Sequence, residues 1–213
     1  MPKITAIKQQ KRKGRFNVYV DGKFGFASPA ETLAKAGLAI GQELSKEEIG
    51  TLKHQEAVDK LYNQALRFLS YRPRSEREVR DYLLKKIKIS KNSPEIAELA
   101  ITKLKLLELV NDEEFARWWL EQRNQFRPKG IYVLKQELYK KGISQNIIVQ
   151  LLNGSIVKEA ELEGAKKAAQ KKLGSLKSLA PGETRQKLTS FLVYRGFSYE
   201  IIKLVLDEIK EKG

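Results

Sequence analysis

Few residues of this chain are of a type that does covalent or metal chemistry. Cysteine is absent, which removes thiolate nucleophiles, disulfides and thiolate metal sites, and histidine occurs once, as His54. His54 lies in a polar approach to a long helical segment and reads as a surface residue. There is no glycine-rich phosphate loop and no His-Glu metal spacing. Asp112-Glu113-Glu114 could in principle hold a divalent cation, but carboxylates are favoured at a helix start, and that explains the run more simply. A nuclease would need a clustered set of acidic metal ligands, and none is evident. The expectation is a protein with no catalytic residues, no metal and no cofactor.

The chemistry that the sequence does offer is cationic. Lys and Arg number 41 against 26 Asp and Glu, a formal net charge of +15. An excess of this size points to a polyanionic partner, either nucleic acid or an acidic protein surface, and composition does not choose between them. The basic residues recur in groups. Arg72, Arg74, Arg77, Arg80, Lys85, Lys86 and Lys88 form one, and Arg127, Lys129, Lys135, Lys140 and Lys141 a second. Arg185, Lys187, Arg195 and Lys203 form a third. Any single Lys here is ordinary solvated helix surface, but repeated positions in stacked units can line one face. No recognition-helix signature accompanies them, so base-specific reading is not expected. Lys11, Arg12, Lys13, Arg15 and Lys23 give an N-terminal hairpin either its own DNA contact or simply soluble, non-sticking edges. Tyr19 and Phe16 could stack on bases, although core packing suits Phe16 better. Trp118 and Trp119 cannot share one helix direction. Trp119 joins Phe115 and Ala116 on the apolar side, which leaves Trp118 to pack between units or to anchor a partner.

The elements that must position these residues are mostly helical. Residues 1–27 alternate in strand fashion: Phe16, Val18 and Val20 interleave with Asn17 and Tyr19, and Asp21-Gly22 marks a two-residue hairpin turn. Ser28 as N-cap and Pro29 at the first helical position predict a covering helix to Ala36. Ser45 with Glu48 predicts a capping box, and the long helical body is expected from near Leu52. Ser75-Glu76-Arg77-Glu78 predicts a second capping box, and Asn111 to Glu114 a third. A loop is expected over Ile89 to Asn92, and another over Gly174 to Gly182. Leu134 and Leu138, Gly142-Ile143-Ser144 and the stripe Ile147, Ile148, Leu151, Leu152 recur at a fixed offset as Leu188, Leu192, Gly196-Phe197-Ser198 and Ile201, Ile202, Val205, Leu206. Self-similarity of this kind is the signature of helical repeats. The fold class expected is mainly α: three tandem three-helix repeats forming an elongated curved body, preceded by a small β-hairpin-containing N-terminal module. The divisions are 1–50 for the β-rich module, then 52–110, 111–155 and 156–210 for the repeats. No apolar run is long enough for a signal peptide or membrane span, so a cytoplasmic protein without membrane contact is expected.

Several stretches together resemble the RecX regulatory family: Arg72-Pro73-Arg74-Ser75-Glu76-Arg77-Glu78-Val79-Arg80, Asn111-Asp112-Glu113-Glu114-Phe115-Ala116, Arg123, Glu137-Leu138-Tyr139-Lys140-Lys141-Gly142-Ile143, and Tyr194-Arg195-Gly196-Phe197. The resemblance spans roughly 57–209 and rests on the order and spacing of the motifs. It departs from the family pattern at Ile87 to Asn92, where a short Lys-Gly-type turn is expected, and in the segment Gly174 to Gly182. The resemblance implies a non-enzymatic modulator that lies in the groove of the RecA–DNA filament, limits recombinase, ATPase and coprotease activity in DNA repair and the SOS response, and also binds single- and double-stranded DNA. It implies filament- or DNA-facing roles for Arg72, Arg74, Arg77, Arg127, Lys129, Lys135, Lys141, Arg185 and Arg195. Of these, Arg72, Arg74, Arg127, Lys141 and Arg195 are the preferred groove contacts. A monomer is expected, since stacked units cover one another. The competing reading is a general basic nucleic-acid-binding repeat protein with no recombinase partner.

Overall fold

The computed structural model describes residues 1–11, 14–90, 92–176 and 178–211. They form two compact units, one made of Met1–Tyr71 with Val79–Leu109, the other of Arg72–Glu78 with Val110–Gly213.

The first unit opens with a three-stranded antiparallel sheet in the order β1-β2-β3, its strands being Ile4–Gln9, Arg15–Val20 and Lys23–Pro29. The β2–β3 turn puts Asp21 at φ 49° and Gly22 at φ 76°. Asp and Gly tolerate that left-handed geometry, and it matches the twist of paired strands. Ile4, Val18, Phe26, Leu33 and Leu44 are buried together, with Ile49 and Leu52 packed against them. Leu33 comes from helix α1, Ala30–Lys35. The expected Ser28 N-cap is not formed: Ser28 and Pro29 are still paired in β3 with Phe16 and Arg15, so the ladder runs through the predicted first helical residue and the helix opens at Ala30.

The Ser45–Glu48 capping box is present in both directions and opens one continuous helix, α2, Lys46–Leu69. The long helical body expected from near Leu52 therefore begins earlier, at Lys46, because nothing between Lys46 and Leu52 breaks the helix. Helix α3 spans Glu76–Ser90 and α4 Glu95–Leu106. The loop expected from Ile89 starts later, since α3 continues through Ser90. Val58, Leu61 and Ala65 of α2 are buried, as are Val79, Leu83 and Ile87 of α3 and Ile96 to Leu104 at helical spacing on α4. Phe68 stacks on Tyr82 with ring centroids 4.3 Å apart.

The second unit contains α5 Asp112–Phe126, α6 Ile131–Lys140, α7 Gln145–Leu152, α8 Ser155–Leu173, α9 Pro181–Tyr194 and α10 Tyr199–Glu211. Phe115, Ala116, Leu138, Ile143, Ile148 and Leu152 make one core. Ala165, Ala169, Leu188, Leu192, Phe197, Ile202 and Val205 are among the residues of another. The apolar stripes that repeat in the sequence are thus the stripes that are buried. Helix α9 starts at Pro181, inside the segment expected as a loop, with proline at the first helical position where its missing N–H costs nothing. Among the described residues, no helix is long and apolar enough to cross a membrane.

Candidate nucleic-acid and partner-facing site

The second unit gathers basic residues by a device used twice. In the first instance the N-terminus of α3 meets the turn between α6 and α7. Ser75 Oγ donates to Lys141 O at 2.7 Å, and the Glu76 amide donates to Asp112 Oδ1 at 2.8 Å. In the second, the N-terminus of α6 meets the turn between α9 and α10. The Gly130 amide donates to Arg195 O at 3.0 Å, and the Ile131 amide to Glu161 Oε1 at 2.9 Å. Each junction thus ties a helix start to the carbonyl just before a left-handed glycine, Gly142 or Gly196, both at φ 85°. Each also places an acid from the first helix of a repeat on an otherwise unsatisfied amide. The approach is close. A Cβ at Gly130 would lie 1.9 Å from Gly196 O, and one at Gly142 would lie 2.7 Å from Arg77 Cβ.

At the first junction a carboxylate joins the cations. Arg72 Nη1 and Nη2 both donate to Glu78 at 3.0 Å, and Lys141 Nζ donates to the same carboxylate. Only half of the predicted Ser75 capping box forms. The Glu78 amide reaches Ser75 Oγ at 3.2 Å, but its carboxylate turns to the two cations. Burial pushes the Glu78 carboxyl up, yet the hydrogen bonds from Arg72 and Lys141 outweigh it and hold the group below its ordinary value. The Arg72 guanidinium also lies over the Trp118 ring at 5.5 Å, and Lys141 Nζ over Trp119 at 4.9 Å. Both tryptophans are half-buried beside Phe115, so Trp118 combines packing with a cation contact.

A second carboxylate continues the network. Glu137 accepts from Trp119 Nε1 at 2.9 Å, from Arg123 Nε at 2.8 Å and from Lys129 Nζ. Here too burial raises the carboxyl while Lys129, Arg123 and Trp119 together lower it further. The run from Arg72 to Lys129 is therefore a connected surface of cations, two indoles and two bridging acids.

The second junction lacks the bridging acid. By position after the helix-opening residue, Val133 stands where Glu78 stands in the first. Arg195 Nη1 donates to Pro128 O at 3.2 Å and its guanidinium lies 4.9 Å from the Phe191 ring centre. Burial, and then the charge of Arg127, lower the Arg195 pKa. Two like charges are held near each other with no carboxylate between them among the described residues.

Of the residues singled out from sequence, Arg72, Lys129 and Lys141 are in the acid-bridged network. Arg74 sits beside Arg72, and burial and then that neighbour's charge lower its pKa. Arg77 and Arg127 are exposed, and Lys135 is half-buried at a cleft with Leu162, Phe197 and Leu204. Arg185 is exposed, 3.8 Å from Asp207. In the first unit Lys11 and Lys23 are exposed, while Arg15 pairs with Glu56 at 3.4 Å. Arg12 and Lys13 lie outside the described residues. Sequence reasoning missed Glu78, Glu137 and Glu161 as organisers. Glu78 lies 63 residues from Lys141, and no local spacing signals that pairing. Asp112, weighed as a metal ligand, is committed to the Glu76 amide. Among the described residues, no group of three or more His, Asp or Glu is placed to hold a metal ion.

Comparison with known proteins extends over nearly the whole chain. Four family models match in order: the regulatory protein RecX N-terminal domain over residues 2–45, and the first, second and third RecX three-helix domains over 62–104, 111–152 and 159–206. The chain belongs to the RecX family. The regulatory protein RecX of Bacillus pumilus is 38% identical over 98% of this chain and 78% of its own length, and that of Bacillus subtilis 36% identical over 99% and 78%. A crystal structure of a regulatory protein RecX covers 97% of this chain and 100% of its own, at 30% identity and a TM-score of 0.75. The RecX structure from Lactobacillus salivarius covers 73% of this chain and 98% of its own, at 30% identity and a TM-score of 0.59. RecX-family membership places the chain among regulatory proteins rather than enzymes, with three tandem three-helix domains behind a β-rich start.

Proposed function

We propose that this RecX-family protein binds the RecA–DNA filament and limits its recombinase, ATPase and coprotease activities. The observation that carries the reading is the ordered match of all four RecX modules along one chain. The binding mode is multivalent: modest basic contacts repeated along the helical domains engage a partner that is itself a repeating polymer. It acts in the cytoplasm as a monomer lying in the filament groove, and it also binds naked single- and double-stranded DNA. The contacts are divided among Arg72, Arg74, Arg77, Arg127, Lys129, Lys135, Lys141, Arg185 and Arg195, with Lys11, Arg12, Lys13, Arg15 and Lys23 as further DNA contacts. Arg127 and Arg195 lead the set, because their charges are not offset by a local acid as those of Arg72 and Lys141 are.

The test is a titration of single-stranded DNA, naked and coated with RecA plus a nonhydrolysable nucleotide, followed across salt, with RecA ATPase and strand exchange measured in parallel. Tighter and more salt-tolerant binding to coated DNA, with lowered activity, is expected. Equal or weaker binding to coated DNA, with RecA unaffected, would leave a general nucleic-acid binder.

A further inference from the structure

Where α5 and α9 end, the second junction exposes two aromatic rings beside its two cations. Phe126 is the last residue of α5 and Tyr194 the last of α9, and each is followed by an arginine as C-cap, Arg127 and Arg195. Both rings are open to solvent, Phe126 at 68% and Tyr194 at 83% relative exposure. Among the described residues no other ring stacks on either. The exposed Tyr71 stands before Arg72 in the same way, but Arg72 is already held by Glu78 and lies over Trp118.

Packing brings the two helix ends together. Gly130, whose amide is bonded to Arg195 O, closely follows Phe126 in the chain, and Tyr194 directly precedes Arg195. Even at full extension the chain along that path keeps the two aromatic residues within roughly 25 Å. A stacked strand rises about 3.4 Å per nucleotide, so about eight nucleotides cover the longest such span. Arg195 is fixed by its bond to Pro128 O and by the Phe191 ring beside it, Arg127 is exposed, and the Arg127 charge is felt at Arg195. The site therefore offers unpaired positive charge and open aromatic faces at one place. An acidic protein surface serves the cations and leaves the rings in water. Duplex DNA brings phosphates, but its bases are stacked on one another and present the rings no face. A single strand brings phosphates and unstacked bases together.

We propose that these two helix ends form a stacking platform for single-stranded DNA, in which Arg127 and Arg195 take phosphates while Phe126 and Tyr194 each stack on a base. The rings raise affinity for a single strand relative to a duplex. They do not select sequence, because every base has a face to offer. The inference rests on the DNA-binding part of the function proposed above and adds what charge alone does not supply, discrimination between strand and duplex. The first junction lacks this feature, since its two indoles are half-buried and have cations over them.

The experiment uses the full chain and fluorescence anisotropy at one fixed salt concentration. The probes are oligo-dT of about ten nucleotides, an abasic deoxyribose-phosphate strand of equal length, a duplex of equal length, and oligo-dT coated with RecA. Variants are Phe126→Leu with Tyr194→Leu, and Arg127→Ala, each checked for unchanged helix content by circular dichroism. RecA ATPase is read with the same proteins. The wild-type chain is expected to bind oligo-dT more tightly than the abasic strand. Loss of both rings should cut oligo-dT affinity at least about tenfold, to the level of the abasic strand, and lower the ratio of oligo-dT to duplex affinity by a similar factor. Arg127→Ala should weaken oligo-dT, abasic strand and duplex alike. If the ring-dependent preference is seen while the wild-type chain leaves RecA ATPase unchanged, the platform stands and filament regulation falls. Equal binding of oligo-dT and abasic strand by the wild-type chain overturns the proposal, as does oligo-dT binding that the double leucine variant retains in full. A double leucine variant that loses affinity for RecA-coated DNA alone assigns the rings to a protein contact and overturns it too.

Discussion

Replacing Glu78 by alanine should make the protein less stable and a better polyanion binder. The Glu78 side chain is 16% exposed, and its partners Arg72 and Lys141 are 28% and 27% exposed. Severing a buried pair costs about 3–5 kcal/mol and an exposed one about 0–1, so this half-buried bridge should cost about 2 kcal/mol. For a chain of this size melting as one transition, that is a fall of about 4–8 °C in melting temperature. The same change releases two cations from their shared acid. If one further phosphate is engaged, the salt dependence of single-stranded DNA binding steepens by roughly 0.7 in log–log slope. Acid titration adds a third sign. The Glu78 carboxyl is held below its ordinary value of 4.5, so its contribution is present above that pH and lost as pH falls through the lowered pKa. Differential scanning calorimetry across pH and fluorescence titrations across salt read all three. An unchanged melting temperature would refute the energetic reasoning, and weaker DNA binding by a folded Glu78→Ala protein would refute the idea that the acid occupies cations available to DNA.

Three further outcomes follow from the junctions. Gly130→Ala would force a Cβ to 1.9 Å from the Gly196 carbonyl oxygen, and a cost of about 3 kcal/mol is expected in denaturant unfolding, as neither backbone can yield without losing the Gly130–Arg195 hydrogen bond. Arg127→Ala should leave melting unchanged, because the side chain is exposed and makes no ion pair among the described residues, while flattening the salt slope on single-stranded DNA by roughly 0.7. Glu161 has the opposite linkage to Glu78. Burial raises its carboxyl pKa despite hydrogen bonds from the Ile131 and Ser198 amides, so the wild-type chain should lose stability as pH rises from about the ordinary carboxylate value through the raised one. Glu161→Gln should remove that pH dependence, which urea unfolding at several pH values would reveal.

Much of the local architecture was legible in the residues. Apolar spacing identified the stripes around Leu138, Ile148, Leu192 and Ile202 that are buried. The Ser45–Glu48 box formed in full, and Asn111 and Ser144 cap their helices as their residue types demand; of the box expected over Asn111 to Glu114, the Asn111 half is the one among the described hydrogen bonds. The misreadings lie where a partner elsewhere in the chain competes for the same residue. Ser28 looked like a cap, but strand pairing with Phe16 claimed it. Glu78 looked like a reciprocal capping acid, but Arg72 and Lys141 offered two charged donors against one amide. For the basic residues, the sequence supplied their number and their recurrence, and nothing in it distinguished a cation neutralised by an acid from one that is not.

The sequence by itself determined the class of protein: a cysteine-free, strongly basic chain whose helical periodicity repeats, because burial of an apolar stripe depends only on spacing along the chain. The tertiary structure decided which charges are spent. Salt bridges form between groups brought together by packing, so Arg72 and Lys141 share Glu78 across 63 residues of sequence, while the next junction, with Arg127 and Arg195 at the corresponding positions, has Val133 at the sequence position of that acid. Electrostatic attraction falls with distance in space, and separation in sequence does not report it.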